Sequence, residues 1–149
     1  MAVPCPLSAA RDLFSQGSGS QQDASPLGWR RRRIAERYVH GIRNPALRVL
    51  GAPQGSDSCW HLFPVLVQQG TRDALQAHLA ARGVQSGVHY PRLITDQAAL
   101  HAYGKFEIHG ELTRAAAFAA REVSLPIHPY LLDSEIETVV DACNSWRPA

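Results

Sequence analysis

"RDALQAHLAARGVQSGVHYPRLITDQ" (72–97) contains a helix, its stop and an extended run in immediate succession. Leu75 and Leu79 lie one turn apart, and Gly83 supplies the left-handed residue on which a helix commonly ends. The short β-branched run after it predicts a strand over 84–90. Pro91 fixes φ near about −65° and removes a ladder donor, so the strand stops there. His89 and Tyr90 are thereby placed on a stiff strand end, where ligand-facing side chains are usually found. Neighbouring strand residues point to opposite faces, so the two rings share a pocket only if Pro91 turns the chain. The alternative is that Tyr90 packs in the core and His89 bonds a backbone carbonyl.

The flanking segments complete a fold. Ile34, Ala35, Tyr38 and Ile42 recur at helical spacing, with Arg32, Arg33, Glu36, Arg37 and Arg43 on the other faces, and Asn44-Pro45 stops that helix. "LRVL" (47–50) reads as a short strand and "CWHLFPVLV" (59–67) as a longer one, buried on both faces. Pro64 inside it implies an edge position or a bulge. Helices are expected over Asp96 to Tyr103 and over the alanine-rich Glu111 to Glu122, whose small side chains permit close packing, followed by an extended "VSLPIHP" (123–129). In the last helix Ile136, Val139, Val140, Cys143 and Trp146 form one stripe. Asp133 or Ser134 is its expected cap, and Ser134 with Glu137 has capping-box spacing. The order predicts an α/β (α+β) two-layer sandwich with a small mixed or antiparallel sheet, because some connections are too short for crossovers.

The chain of 149 residues is 45% apolar, enough for one domain with its own core. Residues 1–28, with "SQGSGSQQDASPLG", have the composition of a disordered leader, although a short helix around Ala9 to Phe14 is compatible with it; the domain proper is 29–149. A net charge of +2 announces neither nucleic acid nor membrane. Arg30 to Arg33 spread round a whole helix circumference and make no single basic stripe, so nucleic-acid binding through them is only an outside alternative. Cations at a helix start oppose the macrodipole, which implies a helix continuing upstream or an acidic cover.

Several chemistries lack their residues. Cys5, Cys59 and Cys143 are far apart, with no CxxC, and fit a reducing cytoplasm. The histidines show no HxxxH or HxH spacing for zinc, GxSxG is missing, and "GSGS" (17–20) is linker rather than phosphate cradle. The N-terminus has no basic n-region before its apolar run, and no run approaches the roughly 20 apolar residues that span a bilayer.

Five segments in order resemble one family: "RRRIAERYVHGI" (31–42), "SCWHLFPVLV" (58–67), "RDALQAHLAARGVQSGVHYP" (72–91), "EVSLPIHP" (122–129) and "LLDSEIETVVDACNSW" (131–146). Together they look like the C-terminal small domain of DegT/DnrJ/StrS-type aminotransferases, pyridoxal-phosphate (PLP) enzymes of fold type I that aminate keto groups on nucleotide-linked sugars. The resemblance implies that His89 and Tyr90 approach the sugar-nucleotide substrate, with Arg92 beside them as a donor fork for a phosphate or sugar hydroxyl. His61 matches a histidine of the family's strand motif, with a structural role as the default reading. Where the family usually places a second proline and histidine after "HYP", this chain has Leu93 and Thr95, while Gln97 is retained.

Transamination by PLP needs an aldimine-forming lysine, an acid at the pyridine nitrogen and a phosphate cup, which in this family belong to the large domain. The single lysine, Lys105, falls in a loop without such a motif. The resemblance therefore implies no cofactor in this chain alone and no catalysis without help. A large aminotransferase domain supplied in trans, or a homodimer through the same face, is the expected partner.

Overall fold

The computed structural model describes residues 26–56 and 58–148. In chain order the elements are α1 (Pro26–Gly41), β1 (Arg48–Val49), β2 (Phe63–Leu66), α2 (Arg72–Ala80), a 3-10 turn (Ile94–Asp96), α3 (Ala98–Tyr103), α4 (Thr113–Ala119), β3 (Glu122–Leu125) and α5 (Asp133–Ser145). Most of the expected leader lies outside the described residues, including its Ala9 to Phe14 segment. Residues 26–28, which composition places in the leader, form the first turn of α1. The arginine run is thus already inside the helix.

The sheet is antiparallel, in the order β1-β2-β3. Phe63 pairs with Leu125 and Leu66 with Glu122, while β1 covers only Leu66 and Val65. Pro64 therefore sits in the central strand, against the expectation of an edge or bulge. It is tolerated because β1 has ended by Val49, opposite Val65, so Pro64 lies beyond that ladder. The expected strand 59–67 is shorter than its apolar run, with Cys59 and His61 exposed.

The run 84–90 is no strand. It leaves α2 through a Schellman turn: Gly83 has φ of 76°, its N–H donates to the Ala80 carbonyl, and the Val84 N–H donates to the Leu79 carbonyl. The chain then touches β3 at one place, where Gly87 and Ser124 exchange N–H···O bonds of 3.0 and 2.8 Å. The next hydrogen-bonded pair in that register is His89 with Glu122. There the Glu122 side chain accepts the His89 N–H at 2.7 Å, and the ladder ends.

The expected helix over Glu111 to Glu122 contracts to α4, since Glu122 belongs to β3, and α4 buries only Ala119 despite its alanine content. The stretch from Asp96 to Tyr103 divides into the 3-10 turn and α3.

Helices α1, α2 and α5 enclose the core with the sheet. Ile34, Tyr38, Phe63, Leu75, Leu79, Ile136 and Trp146 are buried in it. The Tyr38 ring meets Phe63 edge-on at 5.1 Å, and its hydroxyl donates to the Pro126 carbonyl at 2.7 Å. Burial pushes the Tyr38 phenol well above its ordinary pKa and the Cys143 thiol up to about 12. Asn44, expected only as a helix stop, also donates to the Cys143 and Trp146 carbonyls at 2.8 Å each, satisfying the end of α5.

The start of α5 differs from its sequence signature. Leu132 is the cap residue, and its N–H donates to Glu135 Oε2 at 2.7 Å. Asp133 instead accepts from Arg30 at 2.7 Å, and Glu137 from Arg37 at 3.0 Å, so both expected capping acids are engaged by α1. Both resolutions of the macrodipole conflict occur: α1 extends upstream, and acids from α5 cover Arg30 and Arg37. Among the described residues, no helix is long and apolar enough to cross a membrane.

Candidate functional site

A cleft of about 680 Å³ opens at the end of β3. Its walls come from α1 through Arg31, from the turn at 83–89, from Ser124 to His128 after β3, and from α5 through Glu135, Thr138 and Val139. His61 and His128 also line it, and both are exposed. Sequence resemblance gave His61 only a structural role; the fold puts it on the cleft wall.

His89 is the one expected substrate residue that lines this cleft. Its position follows from three neighbours. Gly87 makes room for the imidazole, since a Cβ there would stand 2.7 Å from His89 Cε1. Glu122, 1% exposed, holds the His89 N–H through Oε2, and Ser124 Oγ donates to the other oxygen, Oε1. A buried carboxyl group is costly unless it is hydrogen-bonded, and here each of its oxygens accepts one donor. His89 Nδ1 is shielded from solvent and has no hydrogen-bond partner among the described residues.

Tyr90 follows with its ring edge-on to His89, centroids 5.7 Å apart and planes at 77°. The two rings are neighbours, yet Tyr90 is 72% exposed and stands outside the cleft wall. Arg92 is exposed as well and likewise does not line the cleft. These three residues thus form a histidine in a cleft beside an open flank carrying a phenol and a guanidinium. Gly87, Glu122 and Ser124 were not singled out from the sequence. A glycine within an extended run does signal close approach, but the 33-residue separation of Glu122 from His89 hides their pairing.

Lys105 lies in the loop after α3, as its sequence context suggested, exposed and not among the residues lining this cleft. No group of three or more His, Cys, Asp or Glu side chains capable of holding a metal gathers among the described residues.

Comparison with known proteins gives this geometry a lineage. The model of the DegT/DnrJ/EryC1/StrS aminotransferase family matches residues 23–144. The chain is 35% identical over 118 residues to a dTDP-3-amino-3,4,6-trideoxy-alpha-D-glucose transaminase of Streptomyces venezuelae, covering 78% of this chain and 30% of that protein. It is 33% identical over 123 residues to a dTDP-3-amino-3,6-dideoxy-alpha-D-galactopyranose transaminase of Aneurinibacillus thermoaerophilus, covering 78% and 31%. Among solved structures, S. venezuelae DesV in complex with a ketimine intermediate superposes with a TM-score of 0.73 at 28% identity, covering 95% of this chain and 44% of that one. A DegT DnrJ EryC1 StrS aminotransferase from Brucella abortus gives 0.69 at 28% identity, covering 78% and 30%. The chain spans about 30% of the length of the curated relatives it matches. It belongs to the DegT/DnrJ/EryC1/StrS aminotransferase family.

Proposed function

We propose that this chain supplies the small-domain wall of a nucleotide-sugar aminotransferase site and does not transaminate alone. His89, fixed by Glu122 and seated over Gly87, is the residue of that wall facing the sugar, and Tyr90 and Arg92 extend the contact along the open flank. Substrates of the class named in the relatives, sugars carried on a thymidine diphosphate, match an imidazole, a phenol and a guanidinium fork as hydrogen-bond partners.

The cofactor implied by the family does not fit the residues present. Lys105 is the only amine-bearing side chain, and it stands exposed on a loop. A lysine that forms a Schiff base needs its amine desolvated or otherwise activated, and the Lys105 side chain is exposed. The observation that carries the proposal is that His89 lines a shaped cleft while Lys105, the single lysine, is exposed and does not line it.

The partner is then a lysine-bearing large domain supplied in trans, or a second copy of the chain. Tyr90, Ile94, Tyr103 and Ile108, all exposed apolar or aromatic side chains on the 90–108 limb, favour a covered surface there. Truncation or detachment of this domain from a longer enzyme, acting in the cytoplasm, completes the reading. The test is a titration of dTDP-glucose into the isotopically labelled chain. The amide and ring signals of His89, Tyr90 and Arg92 shift together, and His89→Ala abolishes the shifts. Shifts confined to other surfaces, or none, overturn the assignment of this wall.

A further inference from the structure

The four arginines at 30–33 have separate fates. Successive helical residues project about 100° apart, so each guanidinium leaves α1 in its own direction. Arg30 donates to the Leu131 carbonyl and to Asp133, both at 2.7 Å. Arg32 reaches the Ser58 carbonyl at 3.4 Å. Arg33 lies 5.3 Å over the Trp29 ring. Arg31 alone of the four lines the cleft of His89, and its Nε is shielded from solvent without a hydrogen-bond partner among the described residues.

A charged donor withdrawn from water and left unpaired is unfavourable, and native structures rarely keep one without use. Here two shielded nitrogens, Arg31 Nε and His89 Nδ1, belong to side chains lining the same cleft. His61 and His128 add further imidazoles to its wall. The one carboxylate on the lining, Glu135, accepts the Leu132 N–H through Oε2 as part of the α5 cap. A guanidinium and three imidazoles stand on the lining against that one carboxylate, and the volume admits a small molecule.

We propose that Arg31 is the anchor of an oxyanion subsite in this cleft, taking a phosphoryl or carboxylate group of a small ligand. The guanidinium edge that carries Nε is suited to two parallel hydrogen bonds with a pair of anionic oxygens, which an ammonium cannot reproduce. The subsite does not depend on the identity of a sugar or on the substrate role of His89.

Inorganic pyrophosphate and glutarate, titrated separately into the full 149-residue chain, test it. Either probe binds saturably at one site and moves the Arg31 Nε–H signal in nitrogen-edited spectra. Pyrophosphate binding the tighter identifies a phosphoryl site, and glutarate the tighter a carboxylate site. Arg31→Gln weakens the preferred probe by about tenfold or more. Arg31→Lys, which keeps the charge but has no Nε–H, loses most of the same affinity. Arg33→Gln, at a residue that packs on Trp29 and does not line the cleft, leaves it unchanged. Thermal melting of each variant reports folding, and the wild-type Nε–H response needs no variant. Failure of both probes to saturate, an unmoved Arg31 signal, or equal weakening by Arg33→Gln overturns the proposal. Because the probes contain no sugar or nucleoside, its failure is distinct from failure of the nucleotide-sugar reading.

Discussion

The backbone N–H of His89 donates to Glu122 Oε2 at 2.7 Å, across 33 residues of sequence, and Ser124 donates to the other oxygen of the same carboxylate. The position of the imidazole is therefore set by a side chain in the sheet. Glu122→Ala leaves the His89 N–H and the Ser124 hydroxyl without their acceptor and is expected to destabilise the chain by about 1–3 kcal/mol. Glu122→Gln keeps a carbonyl acceptor and costs less. Chemical denaturation of both variants, with hydrogen exchange at His89, checks the order; equal stability of all three proteins contradicts it.

Gly87 tests the seat of the ring separately from its tether. An alanine Cβ would fall 2.7 Å from His89 Cε1, on the free end of a side chain that can swing away. Gly87→Ala is expected to change stability by less than about 1 kcal/mol while displacing the imidazole from Tyr90. The ring signals of both residues in proton spectra report the displacement. Unchanged ring shifts in a folded Gly87→Ala protein contradict the packing described.

The two cysteines among the described residues differ in exposure, Cys59 being exposed and Cys143 buried in the core. Burial also raises the Cys143 thiol to about 12, which leaves little thiolate at neutral pH. In a Cys5→Ser background, a disulfide-exchange reagent labels Cys59 promptly and Cys143 at least about 100-fold more slowly, unless denaturant is added. Equal rates in native buffer contradict the core assignment.

The contact between α1 and α5 has a pH signature. The hydrogen bond from Arg30, followed by the nearby arginine charges, holds the Asp133 carboxyl below its ordinary value. A carboxylate depressed in the folded state contributes stability above its unfolded pKa and loses it as pH falls through the lower folded value. Asp133→Asn thus lowers the melting temperature at neutral pH, modestly because the pair is solvent-exposed, and the difference from wild type closes in acid. A difference that widens on acidification contradicts this sign.

Sequence periodicity identified what repeats along one element. Of the α5 stripe, Ile136, Val139, Cys143 and Trp146 are buried and Val140 partly so, and Ile34, Ala35 and Tyr38 in α1, with Ile42 just after it, are buried as their spacing requires. Contacts between distant elements were not legible in that way. Ser134 and Glu137 have capping-box spacing, yet Arg37 engages Glu137 and the cap moves to Leu132 and Glu135. The run at 84–90 has a strand's composition, but a side-chain acceptor on β3 replaces the ladder after Gly87. His89 was visible because Pro91 follows it. Arg31 was submerged in a run of four whose members separate only once their partners are in place.

Under the proposed reading, this polypeptide holds one wall of an aminotransferase site and offers no lysine placed to bind PLP. Titration of PLP into the purified chain, followed by borohydride reduction and peptide mapping, measures this directly. No saturable aldimine absorbance and no stoichiometric label on Lys105 are expected. A single saturable adduct at Lys105, accompanied by amination of a keto-sugar nucleotide from glutamate without any added partner, contradicts this reading.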